Sequence, residues 1–305
     1  MDSATSPSPQ IRRTDRLEWA GGNPSVAPTL GNRLKTPLRR LRATYRLMTG
    51  PLRGLPSALI LGAQRSGTTS LFNYLVQHPD VLPPLGKEIH YFDFLYDRGL
   101  RYYRGRFPYR HRLRRGALTL DATPYYLIHP LVPERAAQLL PDVKLIALLR
   151  NPVERAFSHY QHEVRGGRES LSFAEAIEQE SERLAGEEER LRSEPGYYSW
   201  NHHRYSYTRR GLYLEQLRRW LQHFPRSQLL VLQSEWLFRD PRAATAAVHR
   251  FLGLRDHRLE HYDSSYQKGN YERQIVPELK AKLDAFFEPH NRELFRWLGQ
   301  EFDWE

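Results

Sequence analysis

The 305-residue chain contains no cysteine, which excludes disulfides, thiolate metal sites and a cysteine nucleophile. That usage fits a reducing compartment. No stretch approaches the roughly 18 apolar residues of a membrane-spanning helix, and the first residues lack the apolar centre of a signal peptide. A soluble, cytoplasmic protein is the expectation. Acidic residues are scarce near the N-terminus: residues 1–56 hold three Asp/Glu against ten Lys/Arg, which is +7 of the formal +11. The basic excess lies in this extension, and the body beyond it gives little reason to expect a nucleic-acid partner.

With 40% hydrophobic residues, the chain can bury one full core. We divide it into an extension, 1–56, and a single domain, 57–305. The Ser-, Pro-, Gly- and Asn-rich residues up to about 33 lack periodicity, which predicts disorder. Leu34, Leu38, Leu41, Tyr45 and Met48 then recur at helical spacing, with Arg39, Arg40, Arg42 and Arg46 between them. This basic amphipathic helix either packs on the body or makes weak contact with an acidic membrane surface through 34–48.

From Ser57 strands and helices alternate. Strands are expected at Ala58–Gly62, Ala117–Asp121, Lys144–Leu149 and Gln228–Gln233. Helices are expected at Thr69–Gln77, Pro133–Leu139, Val153–Val164, Phe173–Arg192, Leu212–His223, Pro241–Leu252 and Pro277–Leu298. The pattern predicts an α/β fold, a P-loop-like central parallel sheet flanked by helices. Ligands of such sheets bind beyond the strand carboxyl ends, so the loops after Leu61, Asp121 and Leu149 should converge. Glu175–Glu194 reads as a solvated helix face.

The loop after the first strand is the strongest motif. Gly62-Ala63-Gln64-Arg65-Ser66-Gly67-Thr68-Thr69-Ser70 joins a buried strand to a helix N-terminus, which offers backbone N–H groups and a positive dipole end to a phosphate. The glycine spacing is that of G-x-x-x-x-G-K-[ST], but the lysine position holds Thr68 and the cation lies in the turn as Arg65. This suits a nucleotide that is not cleaved at a γ-phosphate. A second block, Arg150-Asn151-Pro152 through Ser158, sets a guanidinium at a strand end and a hydroxyl about two helical turns on, a pair suited to another phosphate. A third, Lys87-Glu88-Ile89-His90-Tyr91-Phe92-Asp93, places Glu88 and His90 on one side of an extended segment. There a carboxylate can act as general base.

Together these blocks resemble the nucleotide-dependent sulfotransferases, in the branch containing the heparan sulfate O- and N-sulfotransferases, and the chain looks like a bacterial-type member. The resemblance covers about Ser57 to Glu305. It implies a 5′-phosphosulfate loop at Gln64, Arg65, Ser66, Gly67, Thr68, Thr69 and Ser70, and a 3′-phosphate block at Arg150 and Ser158. A late loop, Lys268-Gly269-Asn270-Tyr271, would close over the nucleotide. The implied donor is 3′-phosphoadenylyl sulfate, with no metal. The implied catalytic group is Glu88 as base, Arg65 against the charge of the transferring group, and His90 and Asp93 orienting Glu88 or the acceptor.

The chain departs from that branch in having Arg65 where lysine is usual, in lacking the cysteines of a disulfide-pinned loop, and in having no lysine before Thr123. A carbohydrate or glycolipid acceptor is implied. Two segments suit one: Arg101–Arg115, with seven arginines among Tyr102, Tyr103, Phe107 and Tyr109, and the polar aromatic stretch Tyr197–Tyr205. A P-loop kinase acting on a small molecule is the alternative, with Asp121 as its strand-end carboxylate. A non-catalytic anion-binding module is the third reading.

Overall fold

In the computed structural model the described residues are 30–113, 116–259, 261–262 and 274–304, with side chains described from residue 40. Four short strands, β1 (Ala58–Gly62), β2 (Leu120–Ala122), β3 (Lys144–Leu149) and β4 (Leu229–Gln233), form one sheet in the order β2-β1-β3-β4. All neighbouring pairs are parallel. These strands are continuous apolar runs because both faces are covered. Leu59, Leu61, Leu145, Ala147 and Leu149 face one core, whereas Ala58, Ile60, Ile146 and Leu148 face the other.

Thirteen helices are described: α1 (Leu30–Thr49), α2 (Thr68–Leu75), α3 (Gly99–Arg104), α4 (Val132–Leu139), α5 (Pro152–Arg165), α6 (Phe173–Glu178), α7 (Glu180–Leu184), α8 (Glu187–Ser193), α9 (Trp200–Arg204), α10 (Tyr213–Leu221), α11 (Ser234–Arg239), α12 (Pro241–Leu252) and α13 (Pro277–Leu298). Residues of α4 and α10 join the core on the first face, and residues of α2, α11 and α12 that on the second. A third cluster gathers α5, α6 and α13 around Phe157, Tyr207 and Phe287. The chain leaves β1 for β2 on one side, then crosses to β3 on the other. The order therefore reverses between β1 and β3, and a crevice opens beyond their carboxyl ends. Among the described residues this is a single α/β domain.

Two element assignments need correction. Phe173–Arg192 is not one helix but α6, α7 and most of α8, broken at Gln179 and at Ala185-Gly186, where Gly186 has φ +72°. Its acidic residues are not all solvated: Glu180 and Glu187 are buried. Glu180 accepts the Thr208 and Arg209 N–H groups at 2.7 and 2.9 Å and the Thr208 hydroxyl at 2.8 Å. Glu187 accepts the hydroxyls of Tyr197 and Ser199. The second correction is to β2, which begins at Leu120 rather than Ala117 because Leu118 pairs separately with Val81.

Before β1 the chain is built onto the body. Gly50, Arg53 and Gly54 are buried, Gly54 N–H donates to Pro108 O at 2.9 Å, and Arg53 donates to Phe107 O at 2.9 Å. The amphipathic helix exists as α1. From Leu41 onward, however, its apolar side chains are exposed instead of packed.

Candidate active site

The shape of the loop after β1 follows from the strand ending in glycine. At Gly62 (φ +146°) a Cβ would lie 2.7 Å from Pro124 O, so only glycine lets the turn pass this close. Ala63 N–H then donates to Leu148 O of β3 at 2.7 Å, pinning the loop to the neighbouring strand. Gly67, at φ +84°, is the N-cap of α2 and directs the first N–H groups of the helix into the loop. Ser234 donates to Ser66 O at 2.8 Å and fixes the floor. In this loop and the first turn of α2 the hydroxyls of Ser66 and Ser70 are buried without a hydrogen-bond partner among the described residues. Leaving them so is costly, and a phosphate oxygen seated in the loop would satisfy them. The residues fit an anion.

The second block lies against the first. Asn151 caps α5 by accepting the N–H groups of Val153 and Glu154 at 2.9 and 3.2 Å, with Pro152 at the first helical position. This holds Ser158 two turns along a helix that starts at the crevice. Arg65 Nε donates to Ser158 Oγ at 3.0 Å, and Arg150 Nη1 donates to Arg65 O at 3.4 Å. Arg150 also meets Glu154 at 3.5 Å, and its carbonyl accepts the Tyr213 hydroxyl at 2.8 Å. Arg65, Arg150 and Ser158, read from three places in the sequence, thus form one contact group.

The third block holds a carboxylate–imidazole–carboxylate chain. His90 Nδ1 bonds Asp93 Oδ2 at 2.7 Å, and His90 Nε2 lies 3.9 Å from Glu88 Oε2. Lys87 Nζ donates to Glu88 Oε1 at 2.6 Å. Asp93 is buried, while the Glu88 side chain is 49% exposed. Desolvation pushes the Glu88 carboxyl up, but nearby His90 and Lys87, the latter also donating a hydrogen bond, outweigh it and hold it well below the usual carboxylate range. For His90, desolvation pulls down and Asp93, followed by Glu88, pushes up, so that the imidazole is raised to about 10. At neutral pH the site therefore holds an ionised Glu88 beside a protonated His90.

Backbone strain marks the same residues. Among the described residues, the non-glycine positions with positive φ are Arg65 (69°), Glu88 (61°) and His90 (53°). Such conformations cost about 1–3 kcal/mol each and concentrate at functional sites. All three are residues for which the family resemblance implies a catalytic part. Glu88 is held in this geometry by its N–H, which donates to Ala122 O of β2 at 2.9 Å.

Beside Glu88 and His90 opens a cleft of about 410 Å³, walled by Phe94, Tyr102, Tyr197 and Tyr198 and by the cations Lys87, Arg106 and Arg135. Both candidate acceptor segments contribute to it, each in part. Tyr102 and Arg106 line the cleft, whereas Tyr103 and Phe107 are core residues. Tyr197 and Tyr198 line it, whereas His202 and His203 are buried behind. Lys268, Gly269, Asn270 and Tyr271 lie outside the described residues, as do Arg114 and Arg115.

Asp121 does not face the crevice. It is fully buried and accepts the hydroxyls of Thr123 (2.8 Å), Tyr126 (3.0 Å) and Tyr103 (3.1 Å). Burial raises its carboxyl to about 6. A kinase would need an open carboxylate at this strand end.

Sequence reasoning missed Arg210. This buried guanidinium donates to the Gln64 side chain, to Ser206 Oγ at 2.9 Å and to His203 O at 2.8 Å, and lies 5.1 Å over the Tyr125 ring. It ties the phosphate loop to the wall behind the cleft. Its only local signal is Gly211, where a Cβ would meet the Phe287 ring at 2.7 Å. Asn151 Nδ2 donates to Trp304 O at 3.0 Å, and Trp304 Nε1 to Glu235 at 3.2 Å, which stitches the C-terminal segment under the second block.

Comparison with known proteins gives consistent matches. The family model for the sulfotransferase domain matches residues 55–304. Mouse heparan sulfate glucosamine 3-O-sulfotransferase 6 is 32% identical over 313 residues, covering 95% of this chain and 86% of that one. Its human counterpart is 33% identical over 281 residues, covering 85% and 76%. The crystal structure of a sulfotransferase from Alicyclobacillus acidocaldarius is similar at a TM-score of 0.64 and 32% identity, over 82% of this chain and 98% of that one.

Proposed function

The chain belongs to the sulfotransferase family, and from that premise we propose that it moves a sulfuryl group from 3′-phosphoadenylyl sulfate to a hydroxyl or amine of a carbohydrate acceptor. The observation that carries this reading is the contact group of Arg65, Ser158 and Arg150 beside an anion cradle with two unsatisfied buried hydroxyls. A donor with phosphates on both the 3′ and the 5′ oxygens of one ribose matches two adjoining anion sites. The loop N–H groups and the hydroxyls of Thr68 and Thr69 hold the 5′-phosphate. Arg150 and Ser158 hold the 3′-phosphate, which ATP lacks, and so select the donor.

Glu88 accepts the proton of the acceptor as its oxygen or nitrogen attacks sulfur in line with the departing phosphate oxygen. It is ionised in the resting site, so no prior proton loss is needed. Protonated His90, braced by Asp93, orients it. Arg65 offsets charge on the transferring group and the leaving phosphate, the electrostatic contribution that dominates related transfers. Fixed guanidinium groups thereby do what cations do in phosphoryl transfer, and the carboxylate–imidazole chain does the proton work.

An acidic sugar chain suits the cleft, since Tyr102, Tyr197 and Tyr198 offer ring faces and Lys87, Arg106 and Arg135 offer charge. The relatives named for heparan sulfate glucosamine support a related acceptor class. The test incubates the protein with isotopically labelled donor and a panel of acidic and neutral glycans, and maps products by mass spectrometry. Sulfated acidic glycan is the expected product. Label appearing only on non-carbohydrate hydroxyls, or phosphate transfer from ATP–Mg²⁺, would overturn the reading.

A further inference from the structure

The segment ahead of the catalytic domain has no part in this chemistry, yet it carries an unusual surface. Leu41, Tyr45, Met48 and Leu52 follow at intervals of four, three and four residues, so they form one stripe along the end of α1 and the turn after it. Leu41 is 67%, Met48 75% and Leu52 63% exposed. Among the described residues nine large hydrophobic side chains are exposed, and five of them, these four with Leu47, lie within 41–52. Ordinary surfaces scatter such residues singly, and a concentration marks a binding face.

The charge around the stripe is of one sign. No Asp or Glu occurs between Glu18 and Asp80, nor between Asp97 and Asp121. These two acid-free stretches are packed together. A Cβ at Gly50 would meet Arg101 O at 2.5 Å, one at Gly105 would meet Arg46 O at 3.1 Å, and Tyr45 and Tyr109 share a 2.6 Å hydroxyl hydrogen bond. Arg110 donates to Pro51 O at 3.3 Å, next to Leu52. The exposed guanidinium groups of Arg40, Arg42, Arg101 and Arg110 therefore border the apolar stripe, and α1 is fixed to the body at its C-terminal end.

We propose that this face docks the enzyme on an anionic lipid surface, with the stripe entering the boundary between headgroups and acyl chains and the arginines pairing with headgroup charge. A basic helix of low overall hydrophobicity with one apolar face is suited to lying in that interface. A polyanion in solution accounts for the arginines but leaves Leu41, Met48 and Leu52 in water. A second copy of the chain would bring like charges together. A lipid surface satisfies both features. Helix α3 also sits between α1 and the acceptor cleft, which Tyr102 and Arg106 line, so docking fixes the orientation of the cleft to the membrane.

The experiment is co-sedimentation of the full chain with phosphatidylcholine vesicles, with and without phosphatidylglycerol, at low and high salt. Binding is expected only to the anionic vesicles and should fall with salt. Arg40→Gln/Arg42→Gln should weaken it by about 25-fold, at about fivefold per arginine. Leu41→Ser/Met48→Ser should weaken it by more than about tenfold with sulfate transfer to a soluble acceptor unchanged. Both pairs are exposed, so unaltered thermal melting verifies that the variants fold. The proposal fails if no vesicle is bound, or if binding survives Leu41→Ser/Met48→Ser, which would make the face a polyanion site. It fails equally if sedimentation velocity shows a dimer that this variant dissolves.

Discussion

Glu88 is where residue-scale chemistry and backbone conformation meet. Its positive φ, its half-exposed carboxylate and its neighbours Lys87 and His90 support the base role proposed for it. Glu88→Gln should lower kcat by about 10²–10⁴-fold while leaving donor affinity unchanged, which steady-state kinetics and calorimetry together will test. His90 depresses the Glu88 pKa, so its removal acts in a known direction. His90→Gln should let that pKa rise, and the acid limb of the kcat/KM profile should move to higher pH. An unmoved limb would assign His90 a purely structural role.

A stability consequence follows from the raised imidazole. The folded pKa of His90, about 10, exceeds the unfolded value of about 6.5. Between those values the folded protein holds a proton that the unfolded chain has lost. The stabilisation is therefore complete below about pH 6.5 and disappears as pH rises through 10. Denaturant titrations of wild type and His90→Gln should converge over that window.

The elements show which parts of the structure the sequence could disclose. β1, β3, β4 and α5 were legible because each is defined locally, by an apolar run, a glycine or the Asn151-Pro152 cap. The loop after β1 and the Arg150–Ser158 block were legible for the same reason, whereas the third block reads as an extended segment and instead takes left-handed backbone at Glu88 and His90 (φ 61° and 53°). The division of the long acidic segment was not legible, because the burial of Glu180 and Glu187 depends on N–H and hydroxyl donors that follow 12 to 29 residues later, at Ser199 and at Thr208-Arg209. Arg210 was hidden likewise, since its partner Gln64 is 146 residues away in sequence. At this scale Glu180→Ala should destabilise the protein by stranding the part-buried donors of Thr208 and Arg209. The cost is about 1–3 kcal/mol for each donor left unpaired, or roughly 2–4 °C of melting temperature per kcal/mol. A change of less than a degree in a thermal melt would contradict the acceptor role described for that residue.

At the scale of the whole molecule, the reversal of strand order between β1 and β3 explains why residues 85 positions apart meet. Arg65 leaves the end of β1, Arg150 the end of β3, and α5 returns Ser158 across the gap. Glu88 reaches the same end of the sheet by bonding to the end of β2. The C-terminal segment then closes the underside through Trp304. The proposed function depends on that crevice reading two phosphates of one nucleotide.

Calorimetric titration of adenosine 3′,5′-bisphosphate into wild type, Arg150→Ala and Glu88→Gln addresses this most directly. The account predicts tight binding to wild type, the same affinity for Glu88→Gln, and a loss of at least about tenfold for Arg150→Ala, the order expected when a charged hydrogen bond worth 1.5–3 kcal/mol is removed. Equal affinity for wild type and Arg150→Ala, or tighter binding of ATP–Mg²⁺ than of the bisphosphate, would contradict it.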